Sequence, residues 1–122
     1  MNPANDHAHI ENDIIYSVMA GDQTIEAIQA LREEVVAFAD QLRKNNQPVR
    51  VFADINQIGK ETAETRKASV ELIKNVMPDR AVIFGRSVVS RYSTNFILRL
   101  SGTSDITRFF NNRQKALDFL LR

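Results

Sequence analysis

Residues able to bind an anion or a partner cluster behind two candidate strands. Val49–Ala53 reads as a short strand ending at Asp54, and the loop behind it carries Asn56, Gly59, Lys60 and Thr62. Arg80–Phe84 reads as a second strand, wholly apolar after its first residue, as a strand buried on both faces is. Arg86 and Ser87 follow it, behind Gly85, and open a helix. Were the two strands parallel, their C-terminal ends would share one edge of the sheet, where open α/β sheets bind ligands. That edge would gather Asp54, Asn56, Lys60 and Thr62 with Arg86 and Ser87. An anion placed there meets backbone N–H groups at a helix start together with a guanidinium. The plainer alternative is a set of solvated loop residues.

Other candidates have weaker chemistry. Tyr92, Phe96 and Leu100 recur at a spacing of four, so they line either an apolar pocket or an ordinary helix core. His7 and His9 could touch one metal ion, but no carboxylate cluster in the sequence fixes a coordination geometry, and no metal site is expected. GxSxG, P-loop, GxGxxG and HExxH patterns are all missing. Asp54 has no acid–base mate nearby in sequence. No catalytic residue and no cofactor is therefore assigned, and a non-enzymatic role is expected. Arg91, Arg99, Arg108 and Arg113 form no dense basic run and little aromatic interleaving, which argues against nucleic acid as a partner.

Composition sets the frame for these residues. The chain has 122 residues, 43% hydrophobic and 25% charged, enough apolar content for one domain with one core. Zero cysteine excludes a disulfide framework, a cysteine-based zinc site and a thiol nucleophile. The longest purely apolar run, Val35–Ala39, is far below the roughly 20 residues of a membrane span. Met1–Asn12 is polar and has no apolar signal region, so the cytoplasm is the expected compartment. The net charge is only +1, but its distribution is uneven. Residues 1–79 carry 8 basic and 13 acidic residues, whereas residues 80–122 carry 8 basic, seven of them Arg, and 2 acidic. Such asymmetry marks either an acidic or anionic partner, or halves that interleave and neutralise each other.

Periodicity places the elements. Residues 1–9 lack it and read as a flexible tail, leaving residues 10–122 as the domain. Ile10–Asn12 begins a first strand, Asn12-Asp13 turns, and Ile14–Ala20 forms a second that ends at Gly21-Asp22. Thr24 caps a helix with Glu26 in its first turn and Ile28, Leu31, Val35, Phe38, Ala39 and Leu42 on its inner stripe. Arg43 and Lys44 suit its last turn, and Asn45–Pro48 stops it. Thr62 caps a second helix with Ala68, Leu72, Ile73 and Val76 buried, ended by Pro78-Asp79. A third helix carries Val88, Tyr92, Phe96, Ile97 and Leu100 and closes at Gly102. Asp105–Phe110 is the last strand, and Asn111 or Asn112 caps a terminal helix with Ala116, Leu117, Leu120 and Leu121 inside. The order β-β-α-β-α-β-α-β-α predicts an α/β domain, with a mostly parallel sheet and an antiparallel edge strand.

This order resembles the STAS domain, and more closely the small bacterial SpoIIAA-like proteins, whose STAS-like fold is related to CRAL-TRIO domains. The carrying stretches are Gly21-Asp22-Gln23-Thr24, Pro48–Asp54, Asp79–Gly85 and Asn95–Gly102. The resemblance spans roughly residues 10 to 122. It implies a regulatory protein-interaction module, acting without catalysis on a protein partner. In anti-anti-sigma relatives a Ser or Thr at the start of the second helix is phosphorylated, in an Asp-Ser-Ser-Gly or Asp-Ser-Thr-Gly setting. Asp54 matches the acidic residue at the strand end and Thr62 falls near the phosphoacceptor position, although the Asp-Ser-Ser-Gly core is missing and no Gly follows Thr62. The alternative role is a carrier for a lipid, another small apolar ligand or an anion, held between sheet and helices. In either role, the edge of the opening hairpin offers a way for two copies to pair.

Overall fold

Asn12 and Asp13 both take left-handed backbone angles, φ 52° and 61°, a conformation Asn and Asp tolerate better than most residues. The computed structural model describes residues 2–86, 102 and 105–122. In it this tight turn joins β1 (His7–Glu11) to β2 (Ile14–Gly21), with Glu11 directly opposite Ile14. The chain continues through α1 (Ile25–Lys44), β3 (Arg50–Ile58), α2 (Ala63–Val76), β4 (Arg80–Phe84), β5 (Thr107–Phe110) and α3 (Arg113–Leu120). The sheet order is β1-β2-β3-β4-β5, with β1 antiparallel to β2 and every later pair parallel. This is the mixed α/β sheet with an antiparallel edge that the sequence predicts.

Strand alternation divides the core into two layers. Ile15, Met19, Val51 and Ala81 pack on one side against Ile28, Leu31, Val35, Ala39 and Leu42 of α1 and Val76 of α2. Ile14, Phe52, Val82 and Phe84 pack on the other side against Ala116 and Leu120 of α3. Full burial of each Val, Leu, Ile, Met or Phe side chain among them contributes about 1.5–3 kcal/mol. Thr24 caps α1 as expected, its hydroxyl accepting from the Ala27 N–H at 3.1 Å. Arg43 in the last turn of α1 donates to the carbonyls of Val76 and Met77, so one helix closes the C-terminus of the other.

Several boundaries differ from the sequence reading. β1 starts at His7 rather than Ile10, because cross-strand pairing continues to His7 opposite Val18. β3 runs on to Ile58 instead of stopping near Asp54, because β2 pairs with it as far as Gly21. In α3, Asn112 is the cap, and Phe119 is buried while Leu121 is 57% exposed. The helix ends at Leu120, so Leu121 leaves the stripe and the Phe119 ring turns inward beside Phe110, 5.5 Å between centroids. The expected third helix, with Val88, Tyr92, Phe96, Ile97 and Leu100, lies outside the described residues, as does Ser87. No helix among the described residues is long and apolar enough to cross a membrane.

Residues ahead of β1 bind the end of β2. Asn5 N–H donates to the Ala20 carbonyl at 2.8 Å, Asp22 N–H donates to the Asn2 carbonyl at 2.7 Å, and Asp6 Oδ1 accepts from Ala20 N–H at 3.0 Å. The Pro3 carbonyl oxygen passes so close to Gly21 that a Cβ there would sit 2.1 Å from it, and Gly21 also has φ +78°. Gly21→Ala should therefore destabilise the fold by more than the roughly 1–2 kcal/mol of the left-handed conformation alone. Urea unfolding measures this, and an unchanged midpoint would contradict the close approach.

Candidate functional site

The end of β3 holds one residue more than its neighbour allows for. Val18 of β2 faces Asp54, but Ala20 faces Gln57, so two steps on β2 span three on β3. A bulge of this kind bends a strand and re-aims its side chains. Within it, Asp54 Oδ1 accepts from the Asn56 backbone N–H at 2.9 Å and from Asn56 Nδ2 at 3.1 Å. Asn56 Oδ1 in turn accepts from the Arg86 backbone N–H at 2.9 Å. This relay fixes the bulge of β3 to the segment leaving β4. It borders a cleft of about 900 Å³ lined by Asp54–Ile58, Phe84, Arg86 and Arg113.

Arg113 is the residue that sequence reasoning missed. It opens α3 directly after the capping Asn112, whose side chain accepts from Lys115 N–H at 3.0 Å. A cation at that position opposes the helix dipole. Its guanidinium lies over the Phe52 ring at 4.9 Å and the Tyr16 ring at 5.8 Å, within cation–π range. Those rings belong to a row across four strands. His9 stacks on Tyr16 at 5.2 Å, Tyr16 meets Phe52 at 5.4 Å, and Phe52 meets Phe84 at 5.5 Å. The available signal was a basic residue immediately after a helix cap, where an acid is favoured.

Charge is not neutralised between the two parts of the chain by ion pairs among the described residues. The one carboxylate–guanidinium pair there is Asp40–Arg43, and the His9 ring lies 3.8 Å from the Glu11 carboxylate, both within the first 79 residues. Arg80 and Arg108 instead lie over the Phe119 ring, at 4.9 and 5.1 Å.

Lys60 and Thr62 occupy separate ground. Asp22 Oδ1 accepts from the Lys60 N–H at 2.9 Å, Gly59 N–H donates to the Gly21 carbonyl at 2.8 Å, and Gln23 N–H donates to the Lys60 carbonyl at 2.9 Å. The loop is thus held by the end of β2. Thr62 is the N-cap of α2: its hydroxyl accepts from Thr65 N–H at 3.1 Å, and the Thr65 hydroxyl accepts from Thr62 N–H at 2.8 Å. Thr62 is exposed and Thr65 buried. Of the residues expected at this edge, Asp54, Asn56 and Arg86 line the cleft; Lys60 and Thr62 do not. Ser87, Tyr92, Phe96 and Leu100 lie outside the described residues. Among those described, no three His, Asp or Glu side chains are placed to hold a metal ion.

Two carboxylates near α2 have shifted acidity. The Lys60 N–H bond holds the Asp22 carboxyl below the ordinary aspartate range; partial burial opposes this, while the Asn2 N–H and the Lys60 charge add to it. Glu61 is pushed up by loss of hydration, partly offset by the charge of Arg66.

Residues 8–122 match the family described as "Domain of unknown function (DUF7793)". A search of curated proteins gives no significant match. Among solved structures, an uncharacterised protein from Shewanella loihica PV-4, of the DUF3478 family and with a SpoIIAA-like fold, is similar at TM-score 0.64 and 16% identity. That alignment covers 98% of this chain and 95% of that one. An anti-sigma factor antagonist from Mycobacterium paratuberculosis is similar at TM-score 0.67 and 11% identity, covering 98% and 96%. At these identities the likeness establishes the fold, which is SpoIIAA-like.

The Asp22 tie predicts an acid-side effect. A carboxyl whose folded-state pKa is depressed adds stability above its unfolded pKa, and that stability is lost as pH falls through the folded value. Asp22→Asn should be less stable than wild type at neutral pH and converge with it in acid. Thermal unfolding across pH 2–7 checks this (about the range over which carboxylates titrate), and parallel curves would refute it.

Proposed function

This chain belongs to the family of domains of unknown function DUF7793, and we propose that it is a regulatory protein-interaction module, switched by phosphorylation at Thr62. The observation that carries this reading is an exposed threonine at the N-cap of α2, whose hydroxyl takes part in a reciprocal capping box. Thr62 falls near the position at which anti-anti-sigma relatives carry a phosphoacceptor, although the Asp-Ser-Ser-Gly setting is missing here. Support comes from the fold, which is shared with a protein named for opposing an anti-sigma factor.

The physical basis of the switch is local. A phosphate at Thr62 would add about −1.5 to −2 charges at the positive end of the α2 dipole. Glu61 and Glu64 flank the site, so the modified surface would become strongly acidic within one helical turn. A partner that accepts the neutral hydroxyl would then meet a desolvation and repulsion penalty. The surface presented to it comprises the start of α2 and the neighbouring end of β3. No catalytic step is assigned to any residue. This reading sets the protein in the cytoplasm, where a kinase and a partner would meet it.

The test separates capping from signalling. Thr62→Ala should cost about 1 kcal/mol through loss of the cap, whereas Thr62→Asn keeps a side-chain cap and removes the hydroxyl. Mass spectrometry of protein purified from its own host should find phosphate on Thr62, and none on Thr62→Asn at wild-type stability. Thr62→Glu should weaken the copurifying partner several-fold. Unmodified Thr62 under all growth conditions, with partner affinity indifferent to Thr62→Glu, would overturn the switch.

A further inference from the structure

We propose that the cleft beside the β3 bulge binds a small organic oxyanion, a ligand bearing phosphate or carboxylate groups, through the guanidinium groups of Arg86 and Arg113. The cleft is about 900 Å³, within the roughly 300–1,000 Å³ of small-molecule sites. Among the described residues its lining has two arginines against one carboxylate, Asp54. Neither arginine makes an ion pair among the described residues. Residues 87–104 contain no Asp or Glu, so that stretch supplies no acidic side chain to satisfy them.

Arg113 is positioned for binding rather than for stabilising its helix. The dipole of α3 disfavours a cation at its first residue. Its guanidinium carbon lies 4.9 Å from the centre of the Phe52 ring and 5.8 Å from that of Tyr16, and a guanidinium on an aromatic face can still donate N–H bonds to an anion. A guanidinium fixed in advance loses little rotamer freedom on binding, which favours affinity. Arg86 is anchored at its backbone by Asn56, and Asn56 by Asp54. Two planar forks on separate elements match a ligand with two oxyanion groups better than a single point charge. Thr62 does not line the cleft, so a substitution there probes the phosphorylation switch without altering the lining of this site.

Isothermal titration of the full chain with pyrophosphate and with citrate tests the assignment. Saturable binding at one site is expected for at least one probe, weakening as salt rises. A preference for pyrophosphate would point to phosphate ligands, and a preference for citrate to carboxylates. Arg86→Gln and Arg113→Gln should each weaken binding about tenfold or more. Arg113→Lys should not restore it, because the fork and the stacking are lost. Asp54→Asn, which removes the competing negative charge, should tighten binding, a gain that misfolding cannot imitate. Thr62→Asn should leave probe affinity unchanged, whatever it does to a partner. Binding of neither probe, or equal affinity in folded Arg86→Gln and Arg113→Gln proteins, would overturn the proposal, as would capture of an acidic peptide with no response to either probe.

Discussion

The extra residue that β3 carries between Asp54 and Gln57 governs the geometry of the whole C-terminal edge. Without it, pairing with β2 would keep simple alternation, and Asp54 and Asn56 would follow the strand on one face. With it, Asp54 accepts two bonds from Asn56, and Asn56 reaches across to the backbone of Arg86. One local irregularity thus converts the ends of two parallel strands into a connected rim. The pairing that enforces it is itself long-range, since β2 holds β3 as far as Gly21 opposite Ile58.

Aromatic rings explain how basic charge is accommodated. Arg80, Arg108 and Arg113 all lie over buried or half-buried rings. A guanidinium is weakly hydrated and planar, so it can lie on a ring and still keep its edge available for hydrogen bonds. Among the described residues these three arginines therefore rest on rings and make no ion pairs, and Arg113 keeps positive charge at the cleft. On the other side of the rim, Asp22 performs the opposite task. Its carboxylate gathers the N–H of Lys60 and approaches that of Asn2, binding the loop before α2 and the first residues of the chain to one turn.

Legibility in the sequence followed the range of the interactions. Thr24 and Thr62 could be read as caps, and the last cap narrowed to Asn111 or Asn112, because a cap bonds only two or three residues ahead. The α1 stripe was equally plain, since helical spacing writes its burial directly into the sequence. The far end of β3 was not, because Asp54 and Asn56 are turn-favouring residues that only pairing with β2 keeps in the strand. Phe119 and Leu121 were exchanged for a similar reason: both suit an apolar stripe, and the end of the helix decides between them.

The order of the described strands and helices and the capped start of α2 were determined by the sequence itself, through local periodicity and local hydrogen bonding, and the parallel sheet followed from the alternation of strands with helices. Which charges meet was decided only by tertiary structure. Asp54, Arg86 and Arg113 come from three separate parts of the chain, and only the sheet order places them around one cleft. The seat of Arg113 on Phe52 and Tyr16 likewise needs α3 folded onto the face that these two strands present. Spacing along a chain encodes neighbours within an element, whereas the approach of distant side chains depends on how the elements pack.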